Sequence, residues 1–276
     1  MTRVACIQLQ ARPAVSDNVE TAARLVADAA GRGAELIVLP EKWPVFGGRY
    51  ELWPAAEPID GPLMREVAGW ARTLGVGIVA GSFSEQIDGD ERVHNTSVVF
   101  DRDGQCIAAY RKLHLFDVDV GGRRVRESDS DAPGERPVMT DVAGLSVGLA
   151  VCYDLRFPEL FRLYAQGGAD LVTLPSAFAE RTGRDHWEVL VRARAIENLI
   201  YVAAPDQWGR LATGHVAFGR SMIVDPWGTV LAQAPDGEGV IVADCEHATL
   251  DRVRRELPTL AHVRPDVYRT PEHIAR

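Results

Sequence analysis

Residues 145–162 read LSVGLAVCYDLRFPELFR, and this stretch decides the fold more than any other. The apolar run that ends at Cys152 predicts a buried β-strand. The polar residues YDLR follow at once, and Pro158 then marks the start of a helix. A strand, a short polar turn and a helix in this order predict an α/β unit whose turn can present a side chain to a cleft.

The rest of the chain repeats this alternation before hairpins replace it. Apolar residues at helical spacing predict a first helix capped by Ser16 and stopped by Gly31 and Gly33, a second over 63–74 and a long amphipathic helix over 185–198. The predicted strands are VACIQLQ (4–10), ELIVLP (35–40), GVGIVAGSF (75–83), TSVVFD (96–101), QCIAAYRK (105–112), LSVGLAVC (145–152), DLVTLPS (170–176), LIYVAAP (199–205), RSMIVDP (220–226), TVLAQA (229–234) and GVIVADC (239–245). This order predicts an α/β protein with a mixed sheet and helices outside it, in a single domain spanning 1–276.

Composition and charge argue against several classes of function. The 276 residues carry 30 Lys and Arg against 39 Asp and Glu, a net charge of -9, and the scattered basic residues argue against a nucleic-acid partner. No apolar run reaches the ~18 residues that span a membrane, and the N-terminus lacks the apolar segment of a signal peptide. Four cysteines at wide, irregular spacing fit neither a zinc site nor a disulfide framework, so we expect a cytoplasmic protein.

Lysine is scarce in this chain. The 30 basic residues include only Lys42 and Lys112, and all the others are arginines. The two side chains are not interchangeable, because lysine carries a compact point charge and arginine a planar fork. A lysine that remains is therefore a candidate for a position that requires a point charge.

Cys152 is the first candidate for chemistry. A nucleophile at a strand-to-helix turn can point its sulfur into a cleft, where the following backbone N–H groups stabilise an oxyanion. The alternative is a small buried apolar residue, as most single cysteines are. Cys6, Cys106 and Cys245 also lie in predicted strands but lack the polar turn, so a structural role is preferred for them.

Two other reactive side chains stand at predicted strand ends. Glu41 follows ELIVLP directly, at a position that suits either a partly desolvated general base or a capping residue. Lys112 is the last residue of QCIAAYRK. Lys42 is adjacent to Glu41. His114 offers a Cys–His pair, but its alternation with leucines fits a structural role at least as well. Ends of neighbouring strands converge in α/β proteins, which would let Glu41, Lys112 and Cys152 meet, although spacing alone does not establish it.

Three segments resemble the signature blocks of the nitrilase, or carbon–nitrogen hydrolase, superfamily: LPEKW (39–43), YRKLHLFDVD (110–119) and GLAVCYDLRFPELFR (148–162). The resemblance covers nearly the whole chain, and it implies a catalytic triad of Glu41, Lys112 and Cys152. The segment RESDSDAPGE (126–135) resembles the one that carries the family's second active-site glutamate, which maps to Glu127.

The finer resemblance is to the amidase branch that acts on deaminated glutathione, with the ω-amidases as its neighbours. It rests on LPSAF (174–178), TGRDHWEVLVRARAIEN (182–198), RSMIVDPWGTVLA (220–232) and HVRPDVY (262–268). Tyr153 and Asp154 follow the cysteine where true nitrilases usually carry Trp-Glu, which favours amide over nitrile hydrolysis. One departure is Arg220 in the run FGRS, where related amidases tend to have His, and it leaves the exact substrate open.

The fold that the resemblance implies is a four-layer αββα sandwich. Two copies pair across a two-fold axis into an eight-layer homodimer, and higher homo-oligomers build on it. The expected contacts come from segments 154–162 and 187–194 and from the C-terminal tail, although 187–194 would alternatively pack on the sheet.

The resemblance also implies a mechanism. A small carboxylate-bearing amide is hydrolysed to the acid and ammonia through a thioester on Cys152, with Glu41 as base and no metal or organic cofactor. Lys112 lowers the pKa of the thiol and, with the N–H of Tyr153, holds the oxyanion. Glu127 then orients Lys112 or the substrate amide.

Arginines near these blocks are candidates for binding the substrate carboxylate. Arg156, Arg181, Arg184 and Arg220 would each suit a bidentate pair with it. For any single one of them, a surface salt bridge is the preferred interpretation.

Other functions stay open from the sequence. Within the superfamily they are an ω-amidase, an N-carbamoyl hydrolase and a weak nitrilase. Outside it they are a catalytically silent dimeric binding scaffold, against which the intact Glu, Lys and Cys blocks argue, and a papain-like hydrolase that uses His114.

Overall fold

The computed structural model describes residues 1–120 and 122–267. No helix in this part of the chain is long and apolar enough to cross a membrane. The α-helices are α1 (Val15–Gly31), α2 (Arg49–Leu52), α3 (Pro62–Leu74), α4 (Pro158–Gln166), α5 (Glu180–Thr182), α6 (Glu188–Asn198) and α7 (His247–Glu256). Short 3₁₀ turns cover Trp53–Ala55, Glu127–Asp129, Cys152–Arg156 and Thr259–His262, and a π-helical turn covers Gly183–Trp187.

The strands are β1 (Thr2–Gln8), β2 (Leu36–Val38), β3 (Gly77–Val79), β4 (Phe83–Gln86), β5 (Val93–Phe100), β6 (Cys106–Arg111), β7 (Asp117–Val120), β8 (Arg123–Arg126), β9 (Asp131–Ala132), β10 (Met139–Val142), β11 (Leu145–Leu149), β12 (Leu171–Thr173), β13 (Tyr201–Ala204), β14 (Trp208–Arg210), β15 (Val216–Phe218), β16 (Met222–Val224), β17 (Val230–Gln233) and β18 (Gly239–Cys245).

Most strands belong to two sheets of similar design. The first has the order β18-β1-β2-β3-β5-β4, with β6 and β9 paired to β5, and the second has the order β10-β11-β12-β13-β16-β17. In each sheet three consecutive strands run parallel, β1-β2-β3 in the first and β11-β12-β13 in the second. Their outer neighbours are antiparallel. The predicted mixed sheet is therefore present twice.

The two sheets face each other across an apolar layer. Val38 and Tyr110 of the first sheet are buried in one cluster with Val147 and Tyr201 of the second. Each fully buried side chain of this size stabilises the fold by about 1.5–3 kcal/mol. Helices α1 and α3 cover the outer face of the first sheet, and α4 and α6 cover that of the second. The expected αββα sandwich is confirmed.

Helix α1 begins earlier than its sequence suggested. Ala14 is its N-cap and no side chain caps it, so the prediction of a Ser16 cap is wrong. Ser16 lies inside the first turn, where its hydroxyl is 3.4 Å from a carboxylate oxygen of Asp17. The predicted end is confirmed, because the helix stops at Gly31 and Gly33 then adopts a φ of 81°.

The predicted strand 75–83 is broken into β3 and β4. Gly81 has a φ of 59°, and a Cβ atom there would lie 2.1 Å from the carbonyl oxygen of Pro40. Only glycine allows this approach, which brings the N–H of Ser82 within 3.2 Å of the same oxygen. The break thus holds the segment that leads to Glu41 against the sheet.

The predicted helix over 185–198 begins with a π-helical turn. Its N-terminal part is Gly183–Trp187, and α6 follows directly. Trp187 is fully buried, and its indole N–H donates to the carbonyl oxygen of Arg220 at 2.9 Å. The helix ends at Asn198, and its C-cap residue, Leu199, has a φ of 53°.

Candidate active site

The candidate site lies at the edge where three strands end. β2 and β6 point the same way within the first sheet, so Glu41, three residues past β2, and Lys112, the first residue past β6, reach the same edge. Cys152 lies three residues past β11 in the facing sheet. The three side chains therefore meet because the two sheets face each other, and not because their strands are neighbours in one sheet.

Lys112 is held between two carboxylates. Its Nζ atom lies 2.9 Å from Oε1 of Glu41 and 3.0 and 2.9 Å from the two oxygens of Glu127. Burial alone would lower the pKa of Lys112, but Glu127 and Glu41 outweigh it, and the net pKa is raised well above the usual value. Lys112 is therefore a fixed ammonium ion at neutral pH.

Glu41 is fully satisfied by donors in the folded chain. Besides Lys112, the amide of Asn95 donates to its Oε1 at 2.8 Å and the backbone N–H of Ala177 donates to its Oε2 at 2.9 Å. The side chain is 4% exposed. These bonds fix the direction in which the carboxylate faces, which a general base requires.

Cys152 begins a 3₁₀ turn instead of ending a strand. Strand β11 stops at Leu149, and Cys152 has a φ of 47°, in the left-handed region that non-glycine residues rarely adopt. Its own N–H donates to the carbonyl of Pro175 at 2.9 Å, which helps to hold this backbone. A residue kept in such a conformation often marks a functional site, and here it puts the sulfur at the cleft.

The Cys152 thiol is neutral in the resting state. Burial raises its pKa well above the usual value and the charge of Glu41 raises it further, whereas Lys112 lowers it by less. The expected direction of the Lys112 effect is present, but it does not decide the outcome. A neutral thiol needs a base when it attacks, and Glu41 is the charged group that acts most strongly on this thiol.

Glu127 is ionised despite its burial. Burial alone would raise the pKa of this carboxyl, but the charges of Lys112 and Lys42 lower it to about 2. The backbone N–H of Phe116 also donates to Oε2 of Glu127 at 2.7 Å. Glu127 therefore orients Lys112 as a permanent anion.

Tyr153 places a backbone donor beside the cysteine. As the second residue of its 3₁₀ turn, it has an N–H with no partner inside the turn. Its ring lines the cleft and meets Phe116 edge-on, with 5.0 Å between the ring centroids.

His114 faces away from the chemistry. Its Nδ1 is 2.7 Å from Oδ1 of Asp154, and its ring stacks on Phe157 with centroids 3.6 Å apart. It is not among the residues that line the cleft around Cys152. This placement favours the structural role and gives no support to a papain-like pair.

The four candidate arginines divide into two groups. Arg156 and Arg181 line the cleft, and the guanidinium of Arg156 lies over the Phe178 ring, 5.3 Å from its centroid. Arg184 and Arg220 do not line it. Arg184 lies 2.6 Å from an oxygen of Glu180, an i,i+4 helix partner.

Arg220 pairs with a carboxylate outside the cleft. Its Nη2 pairs with Asp236 at 2.9 Å, and its backbone has a φ of 58°. The structure gives no support to a substrate contact of Arg220, which stays a prediction.

The cleft itself has a volume of about 650 Å³. Its walls are largely apolar, with aromatic rings from Phe46, Phe116 and Phe178. Charged groups line the rest: Lys42, Lys112, Arg124, Arg126, Arg156 and Arg181 on the positive side, and Glu41, Glu127 and Glu180 on the negative side. A pocket with apolar walls and a few converging polar groups is typical of a small-molecule site.

Several residues of the site were not identified from the sequence. Asn95 lies in the middle of β5 and joins Glu41 to Glu127, with Nδ2 distances of 2.8 and 3.4 Å. Ala177 acts through its backbone, and no side-chain pattern reveals that. Asp131 lies 2.8 Å from the Nζ of Lys42, and the scarcity of lysine was the signal that pointed to this pair.

Comparison with known proteins identifies the family of this chain. The family model described as carbon-nitrogen hydrolase matches residues 3–255. The mouse deaminated glutathione amidase is 41% identical over 98% of this chain and 85% of its own length, and the human omega-amidase NIT2 is 38% identical over 96% of both chains.

Among solved structures, the C. elegans NitFhit protein superposes with a TM-score of 0.91 at 33% identity. The match covers 97% of this chain and 66% of that one, so the chain spans about two thirds of its length. A family match over nearly the whole chain, relatives near 40% identity and a shared fold lead to one conclusion. The chain belongs to the carbon–nitrogen hydrolase family.

Proposed function

We propose that this protein is an amidase that hydrolyses a small carboxylate-bearing amide through a thioester on Cys152. The observation that carries the proposal is the position of Lys112, whose Nζ lies within 3.0 Å of both Glu41 and Glu127 beside the Cys152 thiol. Family membership and the amidase names of the relatives agree with it.

The reaction begins with transfer of the thiol proton to Glu41. The sulfur then forms a bond to the amide carbon, and the carbonyl oxygen becomes an oxyanion that Lys112 and the N–H of Tyr153 stabilise. Removal of one such donor costs about 3–4 kcal/mol of transition-state stabilisation. Protonated Glu41 next gives its proton to the leaving nitrogen as the C–N bond breaks.

The second half of the reaction removes the acyl group. Glu41 takes a proton from water, and the hydroxide adds to the thioester carbon through a second oxyanion. The C–S bond then breaks, the acid is released and the Cys152 thiol regains its proton. Glu127 takes part in neither transfer, because it stays ionised and holds Lys112 in place.

The cleft suits an anionic amide. Arg156 is partly buried at the wall, and Arg181 is exposed at the rim. A guanidinium group binds a carboxylate through two parallel hydrogen bonds. A primary amide in this pocket releases ammonia and a substituted amide releases an amine, so the expectation of ammonia holds only for a primary amide.

The acyl group is best tested with two substrates, α-ketoglutaramate and deaminated glutathione. Hydrolysis of either one releases α-ketoglutarate, and only the first also releases ammonia. We expect deaminated glutathione to have the higher kcat/KM, as its amidase relatives are the more similar ones. A higher value for α-ketoglutaramate would assign an omega-amidase. A panel extended to N-carbamoyl amino acids and nitriles would reveal the other specificities of the family.

The nucleophile is tested with a matched pair of cysteine variants. We expect Cys152→Ala to lose turnover on every substrate while Cys106→Ala, at an exposed free cysteine, keeps it. Folding of both variants is checked by circular dichroism. Wild-type turnover in folded Cys152→Ala would overturn the proposal, and absence of turnover in the wild type would favour the silent scaffold.

Three wider properties belong to the same proposal. We propose that the chain is a single domain, that it acts in the cytoplasm, and that it forms a homodimer through α4 and α6. Large apolar side chains on these helices are exposed, with Leu163 at 51%, Val189 at 67% and Ile196 at 43%. The C-terminal run 262–268 ends at Tyr268, which lies outside the described residues. Sedimentation of the wild type against Val189→Glu tests the dimer.

A further inference from the structure

Lys42 is the second lysine of the chain, and it is buried beside the site with 6% of its side chain exposed. Its backbone has a φ of 46°, in the left-handed region. Two hydrogen bonds hold it there, from its N–H to the Ser82 hydroxyl at 2.9 Å and from Gln207 Nε2 to its carbonyl oxygen at 3.1 Å. The chain thus keeps an unfavourable backbone conformation that turns two consecutive side chains, Glu41 and Lys42, to the cleft.

Lys42 completes a buried cluster of five charges. Its Nζ lies 2.8 Å from Oδ1 of Asp131 and 3.5 Å from Oε1 of Glu127. Lys112 occupies the other side of Glu127 and reaches Glu41. Three carboxylates therefore share two ammonium ions in a volume where each unpaired charge is costly.

Asp131 is the reason that a second cation is needed. Its side chain is 0% exposed, and the only group besides Lys42 that bonds it within residues 1–120 and 122–267 is the Ser130 hydroxyl, at 2.6 Å. Burial raises the pKa of Asp131, Lys42 lowers it, and the charge of Glu127 raises it again, so that the net pKa is raised. Without Lys42, two buried carboxylates would face each other, and such pairs share a proton.

We propose that Lys42 is a positioning residue of this active site, which cancels the charge of Asp131 and thereby keeps Glu127 ionised on Lys112. It acts through Glu127 and touches neither the sulfur nor the reacting carbon. If Glu127 gained a proton, Lys112 would lose one of its two anionic partners and would pair more strongly with Glu41. The proton acceptor of the reaction would then be less available, and turnover would fall.

This inference rests on the proposed amidase function, but one of its readouts does not depend on turnover. In protein labelled with ¹³C-glutamate, the carboxyl signal of Glu127 is assigned by its absence from Glu127→Gln. Its pH titration then reports directly on the groups that face it, which are Lys42, Lys112, Glu41 and Asp131.

The decisive variant is Lys42→Met. We expect the Glu127 signal to titrate about 1–3 pH units higher than in the wild type, because a nearby cation is lost. We expect kcat to fall at least about tenfold, with the acid limb of its pH profile moved to higher pH. An unchanged Glu127 titration in folded Lys42→Met would overturn the proposal.

Asp131→Asn serves two purposes. It should restore the properties lost in Lys42→Met, and by itself it tests the inference if Lys42→Met does not fold. Added to Lys42→Met, it removes the second carboxylate, so we expect the Glu127 titration and most of the kcat to return toward wild type. In the single variant Asp131→Asn, Lys42 keeps only Glu127 of its two anionic partners in this cluster. We therefore expect Glu127 to titrate at no higher pH than in the wild type. A rise of the titration in Asp131→Asn would contradict the inference even if Lys42→Met did not fold.

Arg3→Met is the matched control. Arg3 also forms a pair with an aspartate, Asp244 at 2.8 Å, but it lies on β1 and does not line the cleft. We expect neither readout to change in this variant. A rise in KM for carboxylate-bearing amides alone, with the Glu127 titration of Lys42→Met unchanged, would instead make Lys42 a substrate contact.

The two proposals fail in different ways. A wild type that turns over no amide, yet shows the shifted titration in Lys42→Met, would sink the amidase function and keep the charge cluster. Normal amide turnover in the wild type, with an unshifted Glu127 titration in Lys42→Met, would keep the amidase function and overturn the role of Lys42.

Discussion

The hydroxyl of Tyr110 donates a hydrogen bond to Oδ2 of Asp154 at 2.7 Å, and this bond joins the two halves of the candidate site. Tyr110 lies on β6 of the first sheet, two residues before Lys112. Asp154 lies two residues after Cys152, in the 3₁₀ turn that follows β11 of the second sheet. Asp154 also accepts from the N–H of Val151 at 2.8 Å. One buried carboxylate thus sets the position of the ammonium group relative to the sulfur.

We therefore expect Asp154→Asn to lower both stability and turnover. Asp154 accepts bonds at both carboxylate oxygens, from Tyr110 and Val151 at Oδ2 and from the backbone N–H of His114 at Oδ1. The single oxygen of an amide cannot occupy both positions, and losing bonds to a buried charged acceptor costs about 3 kcal/mol. Urea unfolding measures the loss of stability, and kcat measures the displacement of Lys112. Tyr110→Phe, which removes one donor, is the milder control at about 1 kcal/mol. An Asp154→Asn variant with wild-type stability and kcat would contradict this role.

Removal of the Glu41 charge separates the ionisation of Cys152 from its catalysis. Burial raises the pKa of this thiol and the carboxylate of Glu41 raises it further, so Glu41→Gln lowers the pKa. The thiolate of the variant therefore forms at lower pH. We expect alkylation of Cys152 by acrylamide to begin about 1–3 pH units lower than in the wild type. Amide turnover nevertheless falls, since no group takes or returns the proton.

Mass spectrometry of the adduct over a range of pH, beside kcat, checks this prediction. Alkylation that begins at higher pH in Glu41→Gln would mean that Glu41 stabilises the thiolate instead of the thiol. The experiment is carried out in a Cys106→Ala background, because the exposed thiol of Cys106 would also be alkylated.

Lys112→Arg tests the need for a point charge. Three carboxylate oxygens lie within 3.0 Å of Nζ, and the side chain is 2% exposed, so a planar guanidinium group has no room to reach them all. We expect kcat to fall by at least about a hundredfold, in the range that loss of one oxyanion donor produces. Lys112→Met gives the reference for complete loss of the charge. If Lys112→Arg kept kcat within a few fold, charge alone would suffice.

Arg156→Met tests the binding of the substrate carboxylate. A hydrogen bond to a charged group contributes about 1.5–3 kcal/mol, which corresponds to a rise of roughly 10- to 100-fold in KM with little change in kcat. Arg184→Met is the matched control, because its guanidinium group pairs with Glu180 and does not line the pocket. The effect should vanish for an uncharged amide of similar size, and an equal effect on both amides would reject Arg156 as the carboxylate contact.

The sequence predicted the local elements well where one signal dominated. Pro158 begins α4 in its first turn, as predicted, because its fixed φ suits a helix and its missing N–H would be unpaired there anyway. Helix α1 ends at Gly31, as predicted. The prediction failed at Ser16 and across 75–83, where contacts distant in sequence decide. The carbonyl of Pro40 breaks that strand at Gly81, and no local pattern encodes this contact.

By itself, the sequence determined which residue types were available for chemistry. The scarcity of lysine singled out Lys42 and Lys112, and the polar turn after an apolar strand singled out Cys152. Only the tertiary structure decided what these groups do together. Electrostatic effects depend on distance and burial, and strands of two facing sheets bring Glu41, Lys112, Glu127 and Cys152 together. That is why the thiol, expected to be acidified by Lys112, is held neutral by burial and by Glu41.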